Sequence, residues 1–430
     1  MLEHYFKKPA TIDRIRSSWL GQPIERYAEW LGEQGYATRC VYHRVPLLMG
    51  FGQFAWSRGA RSIEDLPAHL RSFVTQQPAR PGKRFESEQG RQALIKENAG
   101  PIRQFLSLIL PDYARKNDRT RRLPFADTVP GFFDYLRQER GLRPTTITGY
   151  RFPLWRLENY LKRNGALTLG DLSPAIIFKF IVNCKDTPDL SRSNRPLSRG
   201  AIYVLCSCLR IFLQYLWRQQ MTRQNLGELV ECPRQYRLAE TPRCISAEDM
   251  TRLLSGIDRR DALGRRDYAI LLLMATYGLR AREVAALTLD DLDWQRERLR
   301  VPERKAGHST LYPLTVAAGE AIIAYLHSGR PQTADRHLFF SLLAPIKPMT
   351  WQSVSCQASA YLHRAGIEVA RPGSHTFRHS CVQRLVDAQI PWKTIGDFVG
   401  HRSEDSTRVY TKVAIEALRE VAMGEGEAIL

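Results

Sequence analysis

The first half of the chain contains an internal repeat, and this repeat limits what that half can fold into. RVPL at residues 44–47 corresponds to RFPL at 151–154, and IRQFLSLIL from Ile102 corresponds to LRIFLQYLW from Leu209. Arg44 and Arg151 in these segments lie 107 positions apart. Apolar periodicities recur freely among helical sequences, so chance similarity of helical patterns is the alternative interpretation.

A true repeat makes residues 20–118 and 125–225 two copies of one small all-helical unit. Each copy has an amphipathic helix, a second helix around the shared RxPL and a longer last helix. The basic segment at 115–124 ends in a proline, which is typical of an exposed linker. A second break is expected at 231–244, where two prolines flank a basic stretch without periodicity.

The pattern after the second break is mixed. Ser246, with Asp249 three residues later, predicts a capped helix, and a buried helix is expected to stop at Gly278. The segment REVAALTLDDLDW begins the next predicted helix. ERLRVPERKAGHSTLYPLT alternates like a hairpin with its turn at 306–307, and helices return from about Thr315. The predicted fold class is mainly α with a small antiparallel β-sheet in this last part.

The net charge of the chain is +19, which favours a polyanionic partner. The basic residues are spread along the chain and are not packed beside an apolar anchor, so nucleic acid is favoured over an anionic membrane. We expect no apolar run long enough to span a bilayer and find no secretory signal, which predicts a cytoplasmic protein. The eight cysteines are scattered without zinc-type spacing, so we expect reduced, mostly buried thiols and no metal.

Four separated segments of the last part together form a recognisable pattern. They are TYGLRAREVAAL, RKAGHSTLYPL, HTFRHS and VGHRSEDSTRVYTKV. Taken alone, HxxR indicates only a polar helix face. The order and spacing of all the elements, with a tyrosine nine residues after a glycine-histidine pair, resemble the tyrosine recombinase (phage integrase) family. The resemblance implies six catalytic residues: Arg280, Lys305, His375, Arg378, His401 and Tyr410.

The chemistry of DNA transesterification explains these residue types. Tyr410 would attack the phosphorus and form a 3′-phosphotyrosyl bond. Arg280 and Arg378 would hold the non-bridging oxygens, because a guanidinium fork matches two phosphate oxygens. This reaction requires no ATP, metal or cofactor.

The remaining groups would move protons and support the site. His375 is the candidate base for the phenol of Tyr410, His401 would donate to the phosphate, and Lys305 would protonate the 5′ oxygen. The interpretation of His379 is structural. Glu283 would be a buried brace, although it could also merely pair with a local arginine. One departure from the family is Arg282, an extra cation where a small hydroxyl residue is common, which we expect to touch the DNA backbone.

The resemblance also implies an architecture, a C-shaped clamp of helical core-binding domain and mixed α+β catalytic domain. We expect an N-terminal helical DNA-binding domain at 1–120, interpreted as a duplicate of the core-binding domain, whose alternative role is contact between protomers. A SAM-like core-binding domain follows at 121–232, a linker at 233–243 and the catalytic domain with its tail helix at 244–430. Implied partners are double-stranded DNA recombination sites, a homotetramer joined by the tail, and accessory recombinase or DNA-bending proteins.

The expected function is site-specific recombination through a Holliday junction, for integration, excision or transposition of a mobile element in the bacterial cytoplasm, near the nucleoid. One alternative is a type IB topoisomerase-like relaxing enzyme, which would act as a monomer without site preference. The other is a non-catalytic DNA-binding regulator on the same fold.

Overall fold

The computed structural model describes residues 2–76, 88–113, 123–164, 169–186, 196–234, 244–302 and 309–400. These residues are mostly helical and include a small three-stranded antiparallel sheet, which confirms the predicted fold class. Three of the predicted site residues, Lys305, His401 and Tyr410, lie outside the described residues. Most of both predicted linkers and the predicted tail helix also lie outside them.

The helices are α1 (Leu2–Tyr5), α2 (Pro9–Arg16), α3 (Gly21–Glu33), α4 (Thr38–Ser57), α5 (Leu66–Gln76), α6 (Glu88–Ile109), α7 (Phe132–Gln138), α8 (Pro144–Arg163), α9 (Pro174–Asp186), α10 (Arg199–Arg218), α11 (Ala247–Ser255), α12 (Ala262–Tyr277), α13 (Ala281–Ala286), α14 (Val316–Ser328), α15 (Trp351–Arg364), α16 (Ser374–Asp387) and α17 (Trp392–Val399). The strands are β1 (Leu292–Asp293), β2 (Arg298–Val301) and β3 (Thr310–Pro313). Short 3-10 turns lie at Ile63–Asp65, Leu169–Asp171 and Leu289–Asp291.

The chain forms two compact units. The first combines Met1–Phe105 with Leu238–Leu430, and the second is Leu106–Arg237. In the second unit, α7 to α10 enclose an apolar core that includes Phe132, Leu157 and Phe212. In the first unit, the C-terminal part has a separate core built around α12.

Helix α10 is the exception to our expectation that the chain has no apolar run of membrane-spanning length. By length and composition it could cross a bilayer. Eight of its residues, however, lie buried in the core of the second unit. Its apolar character is therefore explained by packing within a globular helical unit.

The two parts that the repeat relates have the same order of elements. Each contains a helix, a 20-residue helix with an internal proline, a 3-10 turn, a further helix and a long last helix. Pro46 lies inside α4 and Pro153 inside α8, and both prolines belong to the shared RxPL. The three helices predicted for each copy are present in the predicted order, and each part also contains a 3-10 turn and a further helix that were not predicted.

The C-terminal part confirms several local predictions. The Ser246 hydroxyl accepts a hydrogen bond from the Asp249 amide at 3.0 Å, and α12 ends at Gly278 in a left-handed conformation. Strands β2 and β3 pair antiparallel as the predicted hairpin, whose turn lies outside the described residues. Thr315 caps α14, where helices were expected to return.

The helix predicted over REVAALTLDDLDW is shorter than expected, and the cause is local. Helix α13 ends at Ala286 because Leu287 is extended and Thr288 begins a 3-10 turn. The carboxylate of Asp291 closes that turn by accepting from the Thr288 amide at 3.0 Å and from its hydroxyl at 2.8 Å. Residues 292–293 then form β1, a third strand that the sequence did not predict.

Candidate active site

Arg280 is positioned by the turn between α12 and α13. Gly278 has a φ of +61°, which ends α12, and the buried Leu279 carries the chain to Arg280 at the start of α13. Both oxygens of Glu283 bind this arginine: one accepts from its amide at 2.8 Å and the other from Nη1 at 2.7 Å. Glu283 is itself buried, as predicted, and the arginine that it pairs with is Arg280.

Helix α16 satisfies the carbonyls at the C-terminal end of α12. The last carbonyls of a helix have no partners within it, and the helix dipole makes this end negative. Arg378 Nη1 donates to the Gly278 carbonyl at 2.7 Å, and Arg384 donates to the Ala275 carbonyl at 3.0 Å. Between them on the same face, the Cys381 thiol donates to a neighbouring carbonyl, that of Thr276.

The C-terminal end of α17 is the point at which the site segments meet. Three consecutive carbonyls, at residues 398–400, accept from three different elements. Tyr312 of β3 donates its hydroxyl to the first carbonyl, Arg378 Nη2 donates to the second at 2.6 Å, and Arg280 Nη2 donates to the third at 3.0 Å. Arg378 and Arg280 therefore bind the carbonyls of two consecutive residues at one helix end.

His375 lies three residues before Arg378, on the same side of α16. Part of this residue is exposed at the surface, and the rest packs against protein. The packed protein around it, followed by the positive charges of Arg378 and Arg280, lowers the pKa of His375. A lowered pKa favours the neutral imidazole, which can accept a proton.

The structure brings together Arg280, His375 and Arg378 of the six predicted residues. The other three lie outside the described residues: Lys305 in the segment between β2 and β3, His401 directly after Gly400, and Tyr410 further along. All eight cysteines carry free thiols. Only four of them are buried, whereas the sequence predicted that most would be. In the described part of the chain, no three metal-ligating side chains come together.

Two adjacent guanidinium groups beside a neutral imidazole can bind an anion and accept a proton next to it. Sequence reasoning missed the residues that hold this arrangement, namely Tyr312, Cys381 and Arg384. For the last two a signal was present, because they follow Arg378 at helical spacings of three and six. Tyr312 gave no such signal.

Comparison with known proteins identifies two matching segments. Residues 243–416 match the phage integrase family, and residues 129–220 match the phage integrase N-terminal SAM-like domain. The first segment includes all six predicted site residues.

Relatives extend the likeness to nearly the whole chain. It is 30% identical to y4rF of Sinorhizobium fredii (strain NBRC 101917 / NGR234), named as an integrase/recombinase, over 98% of this chain and 95% of the relative. It is 27% identical to the tyrosine recombinase XerD of Vibrio vulnificus (strain YJ016), over 68% of this chain and 93% of the relative. The post-cleavage complex of the XerH site-specific recombinase with palindromic difH substrate shares the fold, with a TM-score of 0.52 at 16% identity, covering 83% of this chain and 93% of that one.

Proposed function

Because the chain belongs to the tyrosine recombinase (phage integrase) family, we propose that it cuts and rejoins DNA at specific sites through a 3′-phosphotyrosyl intermediate and a Holliday junction. The family assignment implies a DNA strand transferase, and the net charge of +19 suits a DNA partner. In our proposal the reaction serves integration, excision or transposition of a mobile element.

The observation that carries the proposal is the convergence of Arg280 and Arg378 at the end of α17. Their guanidinium groups are fixed by carbonyl and carboxylate partners, so they need little rearrangement to meet a phosphate. The chain continues from this point directly to His401, and the hairpin that carries Lys305 is tied to the same helix end through Tyr312. Arg280 and Arg378 thus meet at one helix end, and His375 lies one helical turn from Arg378. Lys305 and His401 lie outside the described residues, and their place at this site is part of the proposal.

The proposed step exchanges one phosphate ester for another. The phenolic oxygen of Tyr410 forms a bond to the scissile phosphorus, and the bond from phosphorus to the 5′ oxygen breaks. Arg280 and Arg378 hold the two non-bridging oxygens while negative charge develops on them. The new ester retains the energy of the old one, so the reaction proceeds without ATP, and the reverse attack by a 5′ hydroxyl rejoins the strand.

Protons move through the remaining groups in this proposal. His375 takes the proton of Tyr410, and the depressed pKa of this histidine keeps it available as a base at neutral pH. Lys305 donates a proton to the leaving 5′ oxygen. His401 donates a hydrogen bond to the phosphate.

The proposed assembly follows the domains expected from the sequence. Residues 121–232 act as the core-binding domain, 233–243 as the linker and 244–430 as the catalytic domain. The N-terminal part, 1–120, is a duplicate of the core-binding domain that extends the DNA contact, and the shared element order supports this. Recombination would occur in a tetramer joined by the C-terminal tail, with accessory proteins where the site requires them, in the bacterial cytoplasm.

The experiment that tests the function is covalent trapping. The purified chain and its Tyr410→Phe variant are incubated with nicked duplexes from the DNA flanking the gene. Adducts are separated on a denaturing gel and mapped by mass spectrometry. We expect a 3′-linked adduct on Tyr410 that is missing from the variant.

The alternatives predict different products. A type IB topoisomerase-like enzyme would relax supercoiled DNA and give no recombinant product. A non-catalytic regulator would bind the same duplexes and form no adduct, and this outcome would refute the proposed chemistry.

A further inference from the structure

A second cation stands beside Arg280 on α13. Arg282 is exposed, whereas Arg280 is held by Glu283 and by the carbonyl of Gly400. Within the described ranges, no carboxylate forms an ion pair with Arg282. Its charge is therefore open to an anion that approaches this surface.

The guanidinium of Arg282 contacts an exposed aromatic ring. It lies over the indole of Trp351, the first residue of α15, with 5.8 Å between the guanidinium carbon and the ring centroid. Trp351 is 44% exposed, although burying it would remove a large apolar surface from water. The ring favours a guanidinium position above it, and both groups remain open to a ligand.

The start of α15 is also connected to the His375 side of the site. Ser355 lies one turn after Trp351, on the same face of α15, and the hydroxyl of Ser374 donates to the hydroxyl of Ser355 at 3.3 Å. Ser374 precedes His375 in the chain. The Arg282–Trp351 pair is therefore linked to both edges of the site, through Arg280 on α13 and through Ser374 on α16.

We infer that Arg282 and Trp351 form a second phosphate contact, which binds the DNA backbone beside the scissile phosphate. Arg282 would donate to phosphate oxygens, and the flat face of Trp351 would hold the guanidinium and pack on the adjoining sugar. This contact positions DNA and takes no part in bond breaking. The inference rests on the proposed function, because it assumes that DNA lies across Arg280 and Arg378.

The loss of one phosphate contact has a measurable size. Each neutralised phosphate contributes about −0.9 to the slope of log K against log salt, so at about 0.1 M salt one contact corresponds to roughly an eightfold change in affinity. The aromatic contact, at about 0.5–1 kcal/mol, corresponds to roughly a two- to fivefold change.

The test is binding of a fluorescein-labelled random-sequence duplex, measured by anisotropy between about 50 and 200 mM salt. The parent carries Tyr410→Phe, which prevents covalent capture. Arg282→Ala is expected to reduce the slope by about one and the affinity by roughly eightfold. Arg282→Lys should retain the slope, and Trp351→Leu should retain the slope while weakening binding roughly two- to fivefold.

The matched control is Arg364→Ala. Arg364 lies at the opposite end of α15 and also stacks on an aromatic ring, that of Tyr361, at 5.1 Å. It should bind DNA like the parent. Circular dichroism of every variant separates lost contact from lost folding.

The outcomes distinguish this inference from the proposed function. An unchanged slope in Arg282→Ala, or an equal loss in Arg364→Ala, overturns the inference even if Tyr410 forms its adduct. A reduced slope without any adduct on Tyr410 supports the contact and rejects the chemistry. A parent that binds no duplex overturns both.

Discussion

Replacing Gly278 with alanine should destabilise the C-terminal part of the protein by about 2–5 kcal/mol. Gly278 has a φ of +61°, a left-handed conformation that costs an L-residue with a side chain roughly 1–2 kcal/mol. An added Cβ would lie 3.1 Å from Val399 Cγ1 and 3.3 Å from Cys381 Sγ. Both neighbours are buried, so relieving the overlap adds about 1–3 kcal/mol.

The same substitution should slow DNA cleavage, because the added methyl group would contact two helices that carry the site. Val399 belongs to α17 and Cys381 to α16, so moving either one shifts a helix that carries part of the site. The Gly278 carbonyl also accepts from Arg378, and Arg280 follows two residues later. A displacement of even a few tenths of an ångström therefore changes the spacing of the two guanidinium groups.

Gly366→Ala is the matched control for this prediction. Gly366 also follows a helix and has a φ of +66°, but no described atom lies within 4 Å of the position that an added Cβ would take. It should show only the conformational cost, about 1–2 kcal/mol, and normal cleavage. Urea unfolding followed by circular dichroism measures stability, and single-turnover cleavage of a nicked duplex measures activity. Equal destabilisation of the two variants, or normal cleavage by folded Gly278→Ala, would refute the reasoning.

Two further predictions concern the same site. Tyr312→Phe removes the hydroxyl that donates to the Phe398 carbonyl, and it should lower the free energy of unfolding by about 1–3 kcal/mol. We expect lower stability in urea and faster amide hydrogen exchange in α17. Unchanged exchange in α17 would contradict this prediction. His375 should titrate below its usual value of about 6.5 in an NMR titration, and Arg280→Ala should move the midpoint upward by removing one neighbouring cation. As the pH falls, His375 becomes protonated in the unfolded chain before it does in the folded protein. The stability of the protein should therefore decrease between about pH 6.5 and the lower pKa of His375 in the folded protein. A pKa of His375 at or above about 6.5 in the folded protein would exclude this.

The features that the sequence predicted correctly depend on neighbouring residues. The Ser246 cap involves an amide three residues away, and the stop at Gly278 needs only a residue that tolerates a positive φ. The β2–β3 hairpin follows from alternation within one short segment. In each case the interacting groups are close in sequence, so the pattern contains the information.

The features that it missed depend on contacts between distant segments. Arg384 binds the Ala275 carbonyl 109 residues away, and Tyr312 binds the Phe398 carbonyl 86 residues away. No periodicity reports which carbonyl a distant side chain will reach. The early end of α13 was missed for a different reason, since Thr288 and Asp291 form a local turn that competes with a continued helix.

The two arginines of the site stabilise the fold and also present positive charge. These two roles are harder to separate by mutation for Arg378 than for Arg280. Arg378 is buried and donates to the carbonyls of Gly278 and Val399, so replacing it removes hydrogen bonds that join α16 to the ends of α12 and α17. Arg280 is 23% exposed and its carboxylate partner lies on its own helix. A lysine has one compact ammonium and cannot reproduce a fork that reaches two carbonyls. Arg280 also donates to the Gly400 carbonyl at the end of α17. Lost activity in a variant of either arginine therefore reports on phosphate binding only after the folding of the variant has been measured, and we expect the larger structural loss for the buried Arg378.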